Sequence, residues 1–341
     1  MKTVFVSHPT DKLRHYFGNQ AITALQAFAE VRLNTEAREL STPELIAAAH
    51  GCDALIAYRQ TPGPEALFAG LPALAAFIRC AVDISTIDVP AASRHGVLIT
   101  QASAGFMPAV SEWAIGAMVD LARGTSRYAA AYHRGQPPAP VMGRELRGSV
   151  LGVIGYGQIG RYLCELAQAF GMRILVTTPG KIPAQPALRQ VPLPQLLAEA
   201  DFVVCVAPAN AETENMMNAQ AFAAMKPDAY FINASRGELV DEPALLHALE
   251  SGHLGGCALD VGRAPDQMPV LGLARHPNVI ATPHIGGLTL AATEHQALET
   301  VEQLRALVQG RLPDGAVNAA RATRLQRWGI HLTGLENAEA R

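Results

Sequence analysis

Short apolar runs alternate with longer stretches in which apolar residues recur every three or four positions, and the alternation persists along most of the chain. The runs read as buried strands and the stretches as amphipathic helices. In the first third, strands are expected over 3–7, 30–33, 54–58, 76–81 and 97–100. Helical patterns lie between them, at Ile22, Leu25 and Phe28, from Pro43 to His50-Gly51, and over 65–68. Repetition of strand, helix and strand predicts a parallel sheet with helices on its faces. Over 109–122 the pattern changes. Val110, Trp113, Ala114, Ala117, Met118 and Leu121 make a helix too apolar to bury a single stripe, so it is either a central core helix or one that packs against a second copy. Residues 135–143, with three prolines, read as a loop.

The alternation resumes with strands over 150–154, 173–177, 202–206, 230–233, 256–259 and 279–281. The intervening helices are expected at Leu163, Leu166, Ala167 and Phe170, capped by Gly171, and over 194–198, 219–225 and 242–250. A long helix over 289–309 can return to the first sheet. Residues 315–318 close the regular part, and 319–341 form an extension with no legible role. The whole reads as α/β, with two doubly wound parallel-sheet domains.

Between the strand over 150–154 and its helix stands Gly155-Tyr156-Gly157-Gln158-Ile159-Gly160. In that setting a G-x-G-x-x-G turn has a mechanism. The first glycine permits the tight turn, the second lets backbone approach a pyrophosphate, and the third lets helix and strand pack closely. The helix N-terminus offers N–H groups and partial positive charge to phosphates, so a dinucleotide is the expected ligand.

Composition narrows the remaining classes. At 341 residues the chain exceeds one usual core of about 150, so two domains are expected. A formal charge of -3 argues against a nucleic-acid partner held by phosphate neutralisation. No apolar run approaches about 18 residues without a charge, which argues against a membrane span, and no signal peptide is visible. Cys52, Cys80, Cys164, Cys205 and Cys257 are scattered in apolar surroundings, as expected for reduced thiols in a cytoplasmic protein. No ligand spacing suggests a metal.

Reacting groups must come from other strand ends. Arg236 lies in a loop leaving the strand over 230–233 and is suited to hold a carboxylate through two parallel N–H bonds. Asp260 ends the strand over 256–259, where an acid can accept from a nicotinamide carboxamide or cap the next turn. His284 follows the last strand and precedes Gly286 and Gly287, a position that suits a proton donor and acceptor.

GYGQIGR, INASRGELVDEPALLHAL, ALDV and NVIATPHIGG, in that order, closely resemble the D-isomer-specific 2-hydroxyacid dehydrogenases; RCAVDISTIDV and PDGAVN extend the resemblance across about residues 50–318. The resemblance implies an NAD(P)-dependent oxidoreductase that moves hydride between nicotinamide and a small 2-oxo or D-2-hydroxy acid. A substrate domain of residues 1–100 and 288–318 would enclose in sequence a Rossmann dinucleotide domain of 101–287. The active site would lie in the cleft and the protein would form a homodimer. Residue by residue, Arg236 would bind the substrate carboxylate and 2-oxo group, with main-chain groups at Val82 and Asp83 and with Arg59, while His284 would exchange the proton. Cofactor contacts would involve Gly155, Gly157, Gln158, Ile159, Gly160, Thr178, Ala207, Pro208, Ala234, Ser235, Arg236, Asp260, His284 and Gly286. The alternative is a dinucleotide-sensing binding protein of the same fold.

Two departures matter. The family places a glutamate five residues after the Asp260 position to pair with the histidine, and here Pro265 stands there. Asp266, one residue on, is expected to take over that catalytic role after a local backbone shift. Second, the strand over 173–177 ends at Thr178, where NAD-specific folds usually carry an acid for the ribose 2′-hydroxyl. With no acid there and Lys181 nearby, NADP is permitted and slightly preferred, and NAD use through backbone contacts stays open.

Overall fold

The computed structural model describes residues 1–185 and 187–331, and the chain divides into two compact units. One comprises Met1–Gly105 and the chain from Leu290 onward; the other is Phe106–Thr289. Each is built on its own parallel sheet.

Unit one contains β1 (Lys2–Val6), β2 (Ala29–Leu33), β3 (Ala54–Ala57), β4 (Ala76–Arg79) and β5 (Leu98–Gln101), in the order β2-β1-β3-β4-β5 and all parallel. This is the flavodoxin-like strand order. Because alternate side chains point to opposite faces, Val4, Val6, Ile56 and Ile78 build one core, while Phe5, Leu55 and Phe77 build another. Over the first face the helix Leu290–Val308 contributes Ala297, Val301, Leu304 and Leu307. Leu325, Trp328 and Ile330 bury against the same core through the 3-10 turns Ala319–Arg321 and Thr323–Trp328. Residues 319–331, legible in the sequence only as an extension, are therefore part of this fold; the rest of that extension lies outside the described residues.

Unit two contains β6 (Val150–Ile154), β7 (Arg173–Thr177), β8 (Leu188–Gln190), β9 (Phe202–Cys205), β10 (Ala229–Asn233), β11 (Leu254–Leu259) and β12 (Val279–Ala281). Their order is β12-β11-β10-β9-β6-β7-β8, again all parallel. It is the Rossmann order with a seventh strand, and its switch point falls between β6 and β9, which puts a ligand crevice at their carboxyl ends. The apolar helix, observed as Met107–Arg123, is a core element: Ala114, Ile115, Ala117, Met118 and Ala122 join the cluster of Leu151, Val153, Leu163 and Phe202.

Several elements escaped the periodicity, among them the short helices Thr10–Tyr16 and Leu271–Ala274. β8 buries only Leu188 of its three residues, too few to show a repeat. The helix Thr125–His133 buries no residue at all, so no apolar stripe marks it. The helix Val89–Arg94 did carry a signal, because Asp88 Oδ1 accepts from the Ala91 N–H at 2.8 Å and Pro90 occupies the first turn. No described helix is long and apolar enough to cross a membrane.

Candidate active site

The glycine turn has the shape its sequence requires. Gly155 adopts φ 100°, and a Cβ there would stand 2.8 Å from the Ala207 backbone, so β6 and the end of β9 close together at the switch point. A Cβ on Gly160 would collide with the Gly155 carbonyl, which fixes the approach of helix Gln158–Ala169 to the turn. At Gly157, the helix N-cap, a Cβ would meet nothing within 4 Å. That open space beside unpaired helix N–H groups fits a pyrophosphate. Ile159 is fixed from the other side, since Ser111 Oγ donates to its carbonyl at 3.2 Å.

Beyond β7, Thr178 is half-buried and Lys181 exposed. Gln190 laces this loop by donating to the carbonyls of Thr178 (3.1 Å) and Gly180 (2.6 Å). Ala207 is buried and Pro208 exposed past β9, and Ser235 Oγ donates to the Ala207 carbonyl in a short bond. These positions all border the carboxyl edge of the sheet.

Along that edge, the loops after β10, β11 and β12 carry the expected reacting groups. Asn233, buried at the end of β10, builds the first turn: its Nδ2 donates to the Arg236 carbonyl at 2.8 Å and its Oδ1 accepts from the Ser235 N–H at 3.1 Å. The Arg236 guanidinium donates to the Ser235 carbonyl at 2.8 Å and is half-buried, with Ala234 and Ser235 beside it. Asn233 was missed in the sequence because an asparagine at a strand end looks like any turn residue.

Asp260 organises the His284 turn. Its Oδ1 accepts from Thr282 Oγ1 at 2.6 Å and the Ile285 N–H at 2.8 Å, its Oδ2 accepts from the Gly286 N–H at 2.7 Å, and its main-chain carbonyl accepts from the His284 N–H at 2.9 Å. The sequence suggested a carboxamide contact or a turn cap, and these bonds are those of a cap. A Cβ on Gly286 would stand 2.7 Å from Asp260 Oδ2, which is why glycine is needed there.

His284 itself sits at φ 55°, a left-handed conformation that is strained for a side chain of this size. Its Nδ1 lies 3.2 Å from the main-chain carbonyl of Asp266. A carbonyl can only accept, so Nδ1 carries the proton in the neutral ring and Nε2 becomes the nitrogen that gains and loses one. The sequence reading put an acid side chain in this role; at this nitrogen the structure presents main chain. Asp266 and Gln267 reach it through successive left-handed residues, at φ 59° and 58°.

In unit one, Val82 and Asp83 lie in the loop after β4, where Asp83 Oδ1 accepts from the Ser85 N–H at 2.8 Å. Arg59 follows β3, half-buried, with no hydrogen bond or ion pair among the described residues. Its turn is held by Arg79, fully buried, whose guanidinium donates to the Tyr58 carbonyl at 2.5 Å, the Thr61 carbonyl at 2.8 Å and Thr86 Oγ1 at 2.8 Å. Burial pushes the Arg79 pKa down to about 10, and the group remains charged at neutral pH. The five cysteines are all buried, and burial raises the thiols of Cys80, Cys164 and Cys205 to about 12, so none is poised as a nucleophile. Among the described residues no cluster of His, Cys, Asp or Glu could hold a metal.

A glycine turn at the switch point of a parallel sheet, with histidine, aspartate and arginine at neighbouring strand ends, defines a dinucleotide-binding α/β protein. Residues 115–286 match the NAD binding domain of the D-isomer specific 2-hydroxyacid dehydrogenases. The chain is similar to a D-3-phosphoglycerate dehydrogenase of Synechocystis, 34% identical over 326 residues that cover 93% of this chain and 56% of that protein. It is also similar to a glyoxylate reductase of Pyrococcus furiosus, 31% identical over 314 residues that cover 87% of this chain and 91% of that protein. The solved structure of a D-lactate dehydrogenase with NAD+ from Lactobacillus jensenii aligns with TM-score 0.80 at 26% identity, covering 92% of this chain and 99% of that one. The chain belongs to the D-isomer-specific 2-hydroxyacid dehydrogenase family. It spans just over half the length of the phosphoglycerate dehydrogenases it matches.

Proposed function

We propose that the chain is an NAD(P)-dependent oxidoreductase that interconverts a small 2-oxo acid and the corresponding D-2-hydroxy acid. The observation that carries this reading is the His284 turn: an imidazole locked by Asp260 in a strained conformation, its Nδ1–H donating to the Asp266 carbonyl, leaving Nε2 for proton exchange. The nicotinamide, when bound, supplies or accepts the hydride. Arg236 holds the substrate carboxylate and draws charge from the 2-oxo group. The His284 imidazolium gives its Nε2 proton to the carbonyl oxygen as the C–H bond forms, and the neutral ring takes it back in the oxidative direction. For Arg59, and for main-chain groups at Val82 and Asp83, a substrate-binding role is also proposed; the support is their position after strand ends and the charge of Arg59, which makes no hydrogen bond or ion pair among the described residues.

The test is the absorbance of reduced nicotinamide with a panel of small 2-oxo acids and both cofactors. Turnover with D-hydroxy product is expected. Cofactor binding with no turnover for any acid would favour a dinucleotide sensor instead. NADP is the proposed preference, supported by Thr178 where a ribose-binding acid would stand and by Lys181 in the same loop. Thr178→Asp should then move the ratio of kcat/KM toward NAD by about tenfold, because a carboxylate repels the 2′-phosphate. A strong NAD preference in the unsubstituted protein would overturn this part.

A homodimer is also proposed. The support is an apolar outer surface: Tyr132 is 63% exposed, Val141 66% and Met142 97%, on a helix and loop that bury little of their own. Sedimentation should give twice the chain mass, and Tyr132→Glu with Met142→Glu should halve it.

A further inference from the structure

The segment that brings the Asp266 carbonyl to His284 has no strand or helix of its own to hold it, apart from the 3-10 turn Pro265–Gln267. Internal main-chain bonds shape it: Gly262 N–H to the Gln267 carbonyl at 2.8 Å, Ala264 N–H to the Met268 carbonyl at 3.0 Å and Met268 N–H to the Pro265 carbonyl at 3.4 Å. Much of its attachment to the rest of unit two runs through Arg263, by side chain and main chain. Arg263 Nη2 donates to the Glu238 carbonyl at 2.9 Å, Asn215 Oδ1 at 2.8 Å and Glu214 Oε1 at 2.9 Å, and Nε points to the Val240 carbonyl at 3.4 Å. The Arg263 N–H donates to Glu242 Oε1 at 3.0 Å.

The partners are informative. Glu238 and Val240 follow Arg236 within the same turn, and a Cβ on Gly237 would collide with the Gly262 carbonyl and stand 2.8 Å from Arg263 N. The loop that carries Arg236 and the loop that serves His284 are thus pressed together backbone to backbone and pinned by one guanidinium. A planar fork can hold several acceptors in fixed directions, which a lysine cannot.

We propose that Arg263 is a positioning residue that sets the Asp266 carbonyl against His284 Nδ1 and fixes that loop to the turn bearing Arg236. This deepens the reading above and rests on His284 as the proton donor. In this chain the residue five positions after Asp260 is Pro265, which has no side chain to pair with the imidazole, so the main-chain path has to be held in place from outside. Arg263 does this. The Asp260 carboxylate, from the end of β11, is bonded into the His284 turn, and Asp266 meets the ring through its main-chain carbonyl. Loosening the carbonyl weakens a bond that the imidazolium makes more strongly than the neutral ring, so the protonated form is lost at lower pH.

The experiment compares Arg263→Met, Arg263→Lys and Asn215→Ala in the intact chain, with His284→Ala as reference. For Arg263→Met, kcat for 2-oxo acid reduction should fall about tenfold through misplacement of the acid, while reduced-cofactor binding by fluorescence stays within about twofold. The pH above which reduction fades should move down by about half a unit. Arg263→Lys should recover part of kcat, and Asn215→Ala, which leaves the main-chain acceptors in place, should shift the profile in the same direction by less. Thermal midpoints identify a merely structural effect. A lowered midpoint with unchanged kcat and pH profile in the folded protein would overturn the proposal, and so would an unchanged profile in Asn215→Ala if Arg263→Met does not fold. If His284→Ala itself turns over normally, the acid–base reading falls; if it is inactive while Arg263→Met keeps the original profile, only this inference falls.

Discussion

His284→Ala should lower kcat for 2-oxo acid reduction by about a hundredfold to ten-thousandfold, the range spanned by a single positioned acid–base group. Reduced cofactor should still bind, because the residues of the glycine turn, Gly155, Gly157 and Gly160, are untouched. The pH dependence gives the sign. Reduction needs the imidazolium and should fade as pH rises; oxidation needs the neutral ring and should fade as pH falls. In the alanine variant both limbs should flatten. Steady-state kinetics across pH, in both directions, check this. A variant that retains its limbs would move the acid–base role to another group.

Asp260→Asn should rank close behind, although the bond between Asp260 and His284 joins main chain to main chain. The carboxylate uses both oxygens, receiving Thr282 Oγ1 and Ile285 N on one and Gly286 N on the other. An amide can present one oxygen; its NH2 would face a donor, and an unsatisfied buried donor costs about 1–3 kcal/mol. That cost falls on a turn that already carries the strain of His284 at φ 55°, itself about 1–3 kcal/mol. The turn should relax, displacing the ring, and kcat/KM should drop by a hundredfold or more, since misplacement by about 1 Å can cost that much. Urea unfolding should show a loss of about 1–3 kcal/mol. Near-normal kcat would mean that the bond from the His284 N–H to the Asp260 carbonyl, which survives the substitution, suffices to hold the turn.

The strands other than β8, the glycine turn and the identities of Arg236, Asp260 and His284 were legible because each depends on nearby residues. A buried parallel strand is a run of apolar residues, and a phosphate turn needs glycine at set spacings. Asn233, Arg79 and Arg263 were not legible. Arg79 and Arg263 act through partners far away in sequence, Arg79 on Tyr58 and Thr61 and Arg263 on Asn215 and Glu238, while Asn233 looks like any turn residue at a strand end. Nor did any local pattern show that residues 319–331 supply Leu325 and Trp328 to the core of unit one.

By itself the sequence determined the α/β class, the order of the elements and the residue types at the strand ends, since periodicity and turn chemistry are properties of neighbours along the chain. Only the tertiary structure decided that Asp260 serves as the cap of the His284 turn and that a main-chain carbonyl, at Asp266, meets the imidazole. Backbone groups are the same in every residue, so their use leaves no mark in the sequence; it is set by which loops the sheet brings side by side and by the side chains, Arg263 foremost, that hold them there.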